Sequence, residues 1–442
     1  MSLKPRLTRR AMLAASALPL ASMLPAPFVR AQTPRRLVFW HSYTQRARSD
    51  FMRAAADRFE AANPGVSVTI EVVPWPALPQ RWPAAMAGNT LPDVAILLAE
   101  NAVPMFLAGA LHPMDDVVAA LGGADAFKPG LLDATGRFRG QYISVPHYVH
   151  NRLLVYRKDR LAEAGLAPPV TWDDALRAAV ATTRAPDHYG WILKLSRADT
   201  GGGFLLWILA RSNGGSFTDA DGRVTFNEPA VREAVDYMVE LARRAGGPGV
   251  TDYKISDNFS LVNSGRTSLT EDSAAIVAGA AADAPQVADQ LDATFMPRRA
   301  QVGNLMGGIS LALPKGRNLE DAKAFVRFLF TEANYVPFLH SIPLFMFPAL
   351  KRAQGEAFFD NPVIRRFRNV VDVTLQGLES AHLAGMEHGL NAHASPVFNA
   401  HIVEEMFQRI LVDRQAVPDA MAMAARAMEE TVRDVNRRLR RG

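Results

Sequence analysis

Short apolar runs and helix-like apolar spacing alternate along this chain. Residues 37–40 form an apolar run typical of a buried strand, and the alanine-rich segment 49–60 has the pattern of a helix. An Asn-Pro-Gly turn follows at 63–65, after which residues 66–73 alternate like a second strand and residues 92–98 predict a third. Strands that alternate with helices predict an α/β domain with a largely parallel sheet.

The rest of the chain continues this pattern. It predicts further strands at 142–146, 153–156 and 306–313, a mostly helical region at 169–242, an amphipathic helix at 318–330, and helices toward the C-terminus. Thr171 is the expected N-cap of the helix that starts at residue 172. In open α/β sheets ligands bind beyond the carboxyl ends of the strands, which places residues 40–43 and 99–101 at the expected site.

The first 31 residues have the features of a secretory signal peptide. Four bases precede an apolar stretch at 11–24, which is shorter than the ~20 residues of a membrane-spanning helix, and the segment ends on a small-residue cleavage pattern at 29–31. The pair Arg9-Arg10 indicates twin-arginine (Tat) export of a folded protein, with an ordinary Sec signal as the alternative. Both predict a location outside the cytoplasm, and we expect a periplasmic protein.

Composition removes several function classes. The signal segment contains five bases and no acid, so the 49 Lys and Arg of the chain fall to 44, equal to the 44 Asp and Glu. A neutral mature chain gives no electrostatic case for nucleic acid as a partner. The absence of cysteine excludes disulfides, thiolate metal sites and an N-terminal lipid anchor on cysteine. We expect no cofactor, a monomer, and enough mature sequence for two domains.

Four groups of motifs carry a resemblance to a known family. They are Val38-Phe-Trp-His-Ser42 with Phe59-Glu-Ala-Ala-Asn-Pro-Gly65, Gly88-Asn-Thr-Leu-Pro-Asp93, Gly140-Gln-Tyr-Ile-Ser-Val-Pro146 with Pro169-Val-Thr-Trp-Asp173, and Gly307-Gly-Ile-Ser310 through Pro314-Lys-Gly316. In this order and spacing, the chain resembles the extracellular solute-binding proteins of bacterial ABC sugar importers, the group that contains maltodextrin-binding and glycerol-3-phosphate-binding proteins.

The resemblance implies two α/β lobes joined by a hinge that the chain crosses several times, with solute bound in the cleft between them. It places residues 33–149 and 298–344 in an N-terminal lobe, and residues 150–297 and 345–442 in a C-terminal lobe. Closure of the cleft on a small solute would create the surface that ABC permease subunits in the inner membrane recognise. No reaction is expected.

Sugar sites combine polar side chains for hydroxyl groups with aromatic rings for the sugar faces. The resemblance implies such roles for Glu100, Asn101 and His150, for the aromatic pair Phe204 and Trp207, and for two glycines that let backbone approach the ligand, Gly307 and Gly308. Where the family has a further aromatic, near Ala274 or Ala275, this chain has none. The remaining expected ligand-binding residues are His41, Tyr43, Trp75, Glu271 and Asp272.

Two alternatives stay open at this point. An anionic solute such as a glycerol phosphate would need arginines or helix N-termini in the cleft, and the arginines at 152, 197, 211 and 266 are available. A secreted carbohydrate-active enzyme would need two carboxylates across the scissile bond, for which Glu100 with Glu271 is the pair to examine. Four histidines at 382, 388, 393 and 401 match no compact metal-binding motif, so no metal site is expected.

Overall fold

The computed structural model describes residues 35–74 and 77–440. The predicted signal segment and Trp75 therefore lie outside the described residues. The strands are β1 (Arg35–His41), β2 (Val66–Val72), β3 (Val94–Leu97), β4 (Arg137–Phe138), β5 (Gln141–Tyr142), β6 (Val145–Asn151), β7 (Leu153–Arg157), β8 (Tyr189–Trp191), β9 (Thr267–Asp272), β10 (Leu291–Thr294) and β11 (Met306–Ala312).

Helices connect and cover these strands. They are α1 (Arg46–Ala62), α2 (Leu78–Ala87), α3 (Ala99–Leu107), α4 (Asp115–Ala120), α5 (Leu131–Gly136), α6 (Lys158–Glu163), α7 (Trp172–Ala181), α8 (Gly201–Ser212), α9 (Pro229–Ala245), α10 (Asn258–Asn263), α11 (Ala275–Asp283), α12 (Pro285–Ala288), α13 (Leu319–Leu329), α14 (Glu332–His340), α15 (Glu356–Phe359), α16 (Pro362–Arg366), α17 (Arg368–Gly377), α18 (Ala394–Asn399), α19 (Ile402–Leu411) and α20 (Val417–Leu439). Short 3₁₀ helices lie at Ala124–Ala126, Ile255–Asp257 and Lys351–Ala353.

The first sheet has the order β2-β1-β3-β11-β6. β1 pairs in parallel with β2 and β3, whereas β11 runs antiparallel to both β3 and β6. The carboxyl ends of β1, β3 and β6 therefore lie at one edge, together with the amino end of β11. β3 is buried along its whole length, as expected for an apolar strand covered on both faces. We call this sheet and its helices the first lobe.

The second sheet has the order β10-β7-β9-β8. β7 pairs antiparallel with β10 and β9, and β8 pairs in parallel with β9. α7, α8 and α9 pack around this sheet, and the long α20 packs against α19 and α9. Thr171 caps α7 as the sequence predicts, because its side chain accepts a hydrogen bond from the Asp174 backbone N–H while Asp174 accepts one in return. We call this sheet and its helices the second lobe.

The chain crosses between the lobes where β6 passes into β7, just before β11, and after α17. The crossing segments are hydrogen-bonded to one another: Arg152 N–H donates to the Leu305 carbonyl at 2.9 Å, and Met306 N–H donates to the His382 carbonyl at 2.8 Å. α17 packs against β6 of the first sheet and β10 of the second. The hinge is therefore a bundle of three crossing segments supported by one helix.

The segment after residue 344 returns to the first lobe before it reaches the second. The resemblance places residues 345–442 in the C-terminal lobe, whereas Phe347 pairs with Val149 and Leu350 pairs with Phe127, both in the first lobe. Buried apolar side chains between residues 346 and 394 belong to the core cluster that contains the first sheet, whereas those from Val397 onward belong to the core of the second lobe. The pattern of apolar positions could not show this, because it reports that a residue is buried and not against which lobe.

Candidate functional site

A cavity of about 610 Å³ lies between the two lobes. The first lobe contributes the ends of its strands: the segment after β1, the start of α3, the end of β6 and the beginning of β11. The second lobe contributes the start of α8, the segment before α10, and α18. The lining residues are Gln45, Arg48, Leu98, Glu100, Tyr148, His150, Arg152, Thr200, Phe204, Ile255, Leu305, Met306, Gly307, Gly308, Ile309, Phe345, Leu383, Ala384, Ala394, Ser395, Phe398 and Asn399. The position and size are those of a small-molecule site.

Polar side chains of the first lobe line one wall. Tyr148 and His150 are two residues apart on β6, so their side chains point to the same face of the sheet. Burial lowers the pKa of His150 to about 3, so its imidazole is neutral near pH 7. Its Nδ1 is buried without a hydrogen-bond partner among the described residues, and its ring stacks on Phe345 at 4.8 Å between centroids. A neutral imidazole held in this way can exchange a hydrogen bond with a ligand hydroxyl group.

Glu100 lies in the first turn of α3, which begins two residues after β3 ends. Burial raises the pKa of its carboxyl group. Among the residues that the structure describes, no basic side chain lies within 4 Å of it. Its oxygens are therefore available to hydroxyl donors on a ligand.

Aromatic side chains line the opposite wall. Phe204 on α8 lies 5.5 Å from Phe398 on α18, measured between ring centroids, and their planes differ by 35°. The guanidinium of Arg152 lies 5.9 Å from the centre of the Phe204 ring. Apolar rings next to hydrogen-bonding groups are the combination that a sugar requires.

An ion network lies behind Arg152. Its Nη1 is 3.3 Å from carboxylate oxygens of both Glu271 and Asp272, and Lys194 Nζ is 3.2 Å from the second oxygen of Glu271. The side chains of Lys194 and Glu271 are each only 2% exposed. Two positive and two negative charges therefore balance one another, and the positive charge of Arg152 is already compensated by the protein.

Two glycines at the start of β11, Gly307 and Gly308, allow β11 to pack closely against the residues of β6 that line the cavity. A Cβ on Gly307 would lie 2.4 Å from the His150 ring, and one on Gly308 would lie 2.4 Å from the Tyr148 carbonyl oxygen. Both distances are shorter than any non-bonded contact a Cβ makes. Only glycine fits at these positions without moving residues of β6 that line the cavity.

The lobes touch at the rim of the cavity. Ser395 Oγ, on α18 of the second lobe, donates to Asn101 Oδ1, on α3 of the first lobe, at 3.3 Å. This hydrogen bond joins two elements that also line the cavity. Opening the lobes would break it.

The arrangement provides hydrogen-bonding groups and aromatic faces around an enclosed space. Within the described part of the chain, no three His, Cys, Asp or Glu side chains are close enough to hold a metal ion. Within the same residues, no helix combines the length and apolar character needed to cross a bilayer.

The family model for bacterial extracellular solute-binding proteins matches residues 43–336. This match covers most of both sheets and both walls of the cavity. The chain belongs to the bacterial extracellular solute-binding protein family.

Sequence relatives are similar over parts of the chain. The mannitol-binding protein of Pseudomonas aeruginosa is 27% identical over 294 residues, which are 64% of this chain and 66% of that protein. A putative binding protein of Brucella abortus is also 27% identical, over 48% of this chain, and the match spans about half (51%) of that relative's length. A putative ABC transporter periplasmic-binding protein of Escherichia coli is 23% identical over 89% of this chain and 92% of its own.

Solved structures show the same fold over nearly the whole chain. The sugar-binding protein MalE of Xanthomonas citri has a TM-score of 0.76 at 20% identity, covering 92% of this chain and 100% of that one. A solute-binding protein of Thermotoga lettingae, bound with α-D-tagatose, has a TM-score of 0.73 at 20% identity, covering 90% and 100%. The predicted two-lobed α/β fold is thereby confirmed.

Five of the residues expected to bind solute line the cavity of this solute-binding protein. They are Glu100, His150, Phe204, Gly307 and Gly308. Asn101 lies at the rim, where it accepts the hydrogen bond from the second lobe. The structure thus brings together residues that are separated by up to 208 positions in the sequence.

Five other expected residues lie elsewhere. Trp207 is fully buried in the core of the second lobe, because α8 is apolar on nearly every side and packs on both α9 and α19. His41 and Tyr43 are buried in the first lobe, stacked on each other at 5.2 Å. Glu271 and Asp272 lie behind Arg152 and do not line the cavity. These side chains support the wall, and Trp75 lies outside the described residues.

Several lining residues were not predicted. They include Arg48, Tyr148, Phe345 and Phe398. Tyr148 could have been found, because it is two residues from His150 on a predicted strand face. Arg48 and Phe345 carried no local signal, since a charged residue in a helix usually faces solvent and an aromatic residue usually joins a core.

Proposed function

We propose that the protein captures a carbohydrate in the periplasm by closing its two lobes, and delivers it to the permease of an ABC importer without catalysing a reaction. The observation that carries this proposal is the cavity between the lobes, where Glu100 and His150 face the rings of Phe204 and Phe398. Relatives that bind mannitol and tagatose support a carbohydrate as the solute class.

A phosphorylated solute has less support from the site. The charge of Arg152 is already balanced by Glu271 and Asp272. The N-terminus of α8, which lies next to the cavity, is already occupied by a carboxyl group, because Glu404 accepts a hydrogen bond from the Gly203 N–H at 2.7 Å. The Arg152 guanidinium and the N-terminus of α8 are therefore both engaged within the protein. Arg48, the other arginine on the cavity wall, has one positive charge, whereas a phosphate group carries about two negative charges.

The structure does not place both carboxylates of the glycosidase alternative, Glu100 and Glu271, on the cavity wall. Glu271 is held by Arg152 and Lys194 and does not line the cavity, so it cannot face a glycosidic bond opposite Glu100. A general acid and a second carboxylate must both reach the scissile bond. This loss of the carboxylate pair supports binding without turnover over the enzyme.

A thermal-shift screen of the protein from Gln32 onward tests the proposal. The panel contains neutral sugars, polyols, sugar acids, amino sugars and sugar phosphates. A solute that binds only the folded state adds about 2.7 kcal/mol of stability at 100 times its dissociation constant, enough to raise Tm measurably. A shift with a carbohydrate class supports the proposal. No shift with any carbohydrate would contradict it, and the release of a hydrolysed product would favour the enzyme.

A further inference from the structure

Arg48 is a buried guanidinium on the cavity wall with no carboxylate partner. It is only 5% exposed and lies in the first turn of α1. Its Nη1 donates to the Tyr148 hydroxyl at 3.0 Å and its Nη2 donates to the Gln45 side-chain oxygen, while its Nε is buried without a partner among the described residues. No acidic side chain of the described chain lies within 4 Å of it. Burial of a charge without a counter-ion is costly.

The groups around Arg48 supply no negative charge. Its guanidinium lies over the Tyr43 ring at 4.8 Å from the centroid. Burial, aided by the charge of Arg48, lowers the pKa of His41 to about 4, and burial alone lowers the pKa of His147 to about 3, so both rings are neutral. Burial raises the pKa of the Tyr148 phenol, which stays protonated. The aromatic ring offers a cation–π contact, which does not replace a counter-ion.

The other two buried basic residues near the cavity wall have carboxylate partners. Arg152 and Lys194 are balanced by Glu271 and Asp272. Arg48 alone among these three basic residues contacts only neutral partners. The missing counter-charge is therefore one negative charge, on the side of the cavity formed by the first lobe.

We propose that the transported solute is a sugar acid with a single carboxylate, and that this carboxylate pairs with Arg48. The inference rests on the proposed function and narrows its solute class. Arginine has five N–H donors, and Arg48 uses one N–H on each Nη, which leaves the second N–H of each Nη for a bidentate carboxylate. Glu100 and His150 then serve the hydroxyl groups of the same molecule.

Isothermal titration calorimetry on matched pairs of ligands tests this assignment. The pairs differ only in the acid group: gluconate against glucitol, mannonate against mannitol, and galacturonate against galactose. We expect one acid to bind about 10- to 100-fold more tightly than its neutral counterpart, the range of a hydrogen-bonded charge pair. The wild-type comparison does not depend on the folding of any variant.

Arg48→Gln separates charge pairing from general contact. We expect the ratio between the two dissociation constants to fall toward one in this variant, and Arg48→Lys to keep part of the preference. Arg58→Gln is the matched control, because Arg58 lies on the same helix and donates to Asn334 outside the cavity. In the absence of solute, the Arg48→Gln variant should be no less stable than wild type, since the substitution removes a buried unpaired charge.

The outcomes distinguish the inference from the function it rests on. Tighter binding of neutral sugars, or a ratio that Arg48→Gln leaves unchanged, would overturn the sugar-acid assignment and leave carbohydrate capture intact. A preference for amino sugars would also overturn the sugar-acid assignment, and would indicate that Glu100 makes the charged contact with the solute. A preference for sugar phosphates would overturn the single-charge argument. Failure of every sugar, neutral or acidic, would contradict the proposed function itself.

Discussion

Removing Glu271 should destabilise the protein strongly, because it leaves a buried lysine without its counter-ion. Lys194 Nζ lies 3.2 Å from the Glu271 carboxylate, and both side chains are 2% exposed. At an effective dielectric constant of about 20, two unit charges at this separation attract by about 5 kcal/mol. Loss of one partner of a buried pair costs about 3–5 kcal/mol in measured cases. Arg152 keeps Asp272 as a partner, so we expect Glu271→Ala to lower the free energy of unfolding by about 3–5 kcal/mol.

Urea unfolding at pH 7 measures this loss. Glu240→Ala is the control, since Glu240 pairs with Arg244 at 2.7 Å on the surface, where such a pair is worth about 0.5 kcal/mol or less. The double variant Lys194→Met with Glu271→Leu should recover most of the stability, because a matched apolar pair often replaces a buried ion pair without cost. If Glu271→Ala costs no more than Glu240→Ala, the network does not hold Arg152 and Lys194 as described.

Two further predictions concern a buried carboxyl group and the cavity wall. Burial raises the pKa of Glu404 from 4.5 to about 7, so the folded state prefers the protonated carboxyl group. The loss of stability caused by ionising Glu404 is therefore absent below about pH 4.5, grows as the pH rises and is complete above about pH 7. Glu404→Gln keeps an acceptor for the Gly203 N–H but cannot ionise. We therefore expect this variant to be more stable than wild type by up to about 3 kcal/mol at pH 8, and equally stable near pH 4. If the free energies of unfolding in urea change with pH in parallel for the two proteins, this prediction is wrong. Gly307→Ala should weaken solute binding by about tenfold or more, because its Cβ must displace the His150 ring from 2.4 Å. Gly355→Ala is the control for calorimetry, since its Cβ meets no atom closer than 3.8 Å, and equal affinities in the two variants would refute the packing argument.

Local sequence patterns determined the elements and part of the site. The strand at 37–40, the Asn-Pro-Gly turn and the Thr171 cap depend on interactions within a few residues, and each is present in the structure. Glu100 and His150 follow or end strands of one sheet, so topology alone brings them to the same edge. These features are predictable because their causes lie close together in the chain.

Tertiary packing decided which side chains face the cavity. Phe204 and Trp207 are three residues apart on a helix that is apolar on nearly every side, so periodicity could not tell which ring faces the core. In the folded protein Trp207 is fully buried and Phe204 lines the cavity. Glu271 became a structural ion partner only because β7 and β9 place Arg152 beside it. Arg48 became an unpaired charge for the converse reason, since no acidic side chain among the described residues lies within 4 Å of it. The sequence by itself determined the elements and their order. The balance of buried charge depends on contacts between residues 77 to 120 positions apart, and only the folded chain decides it.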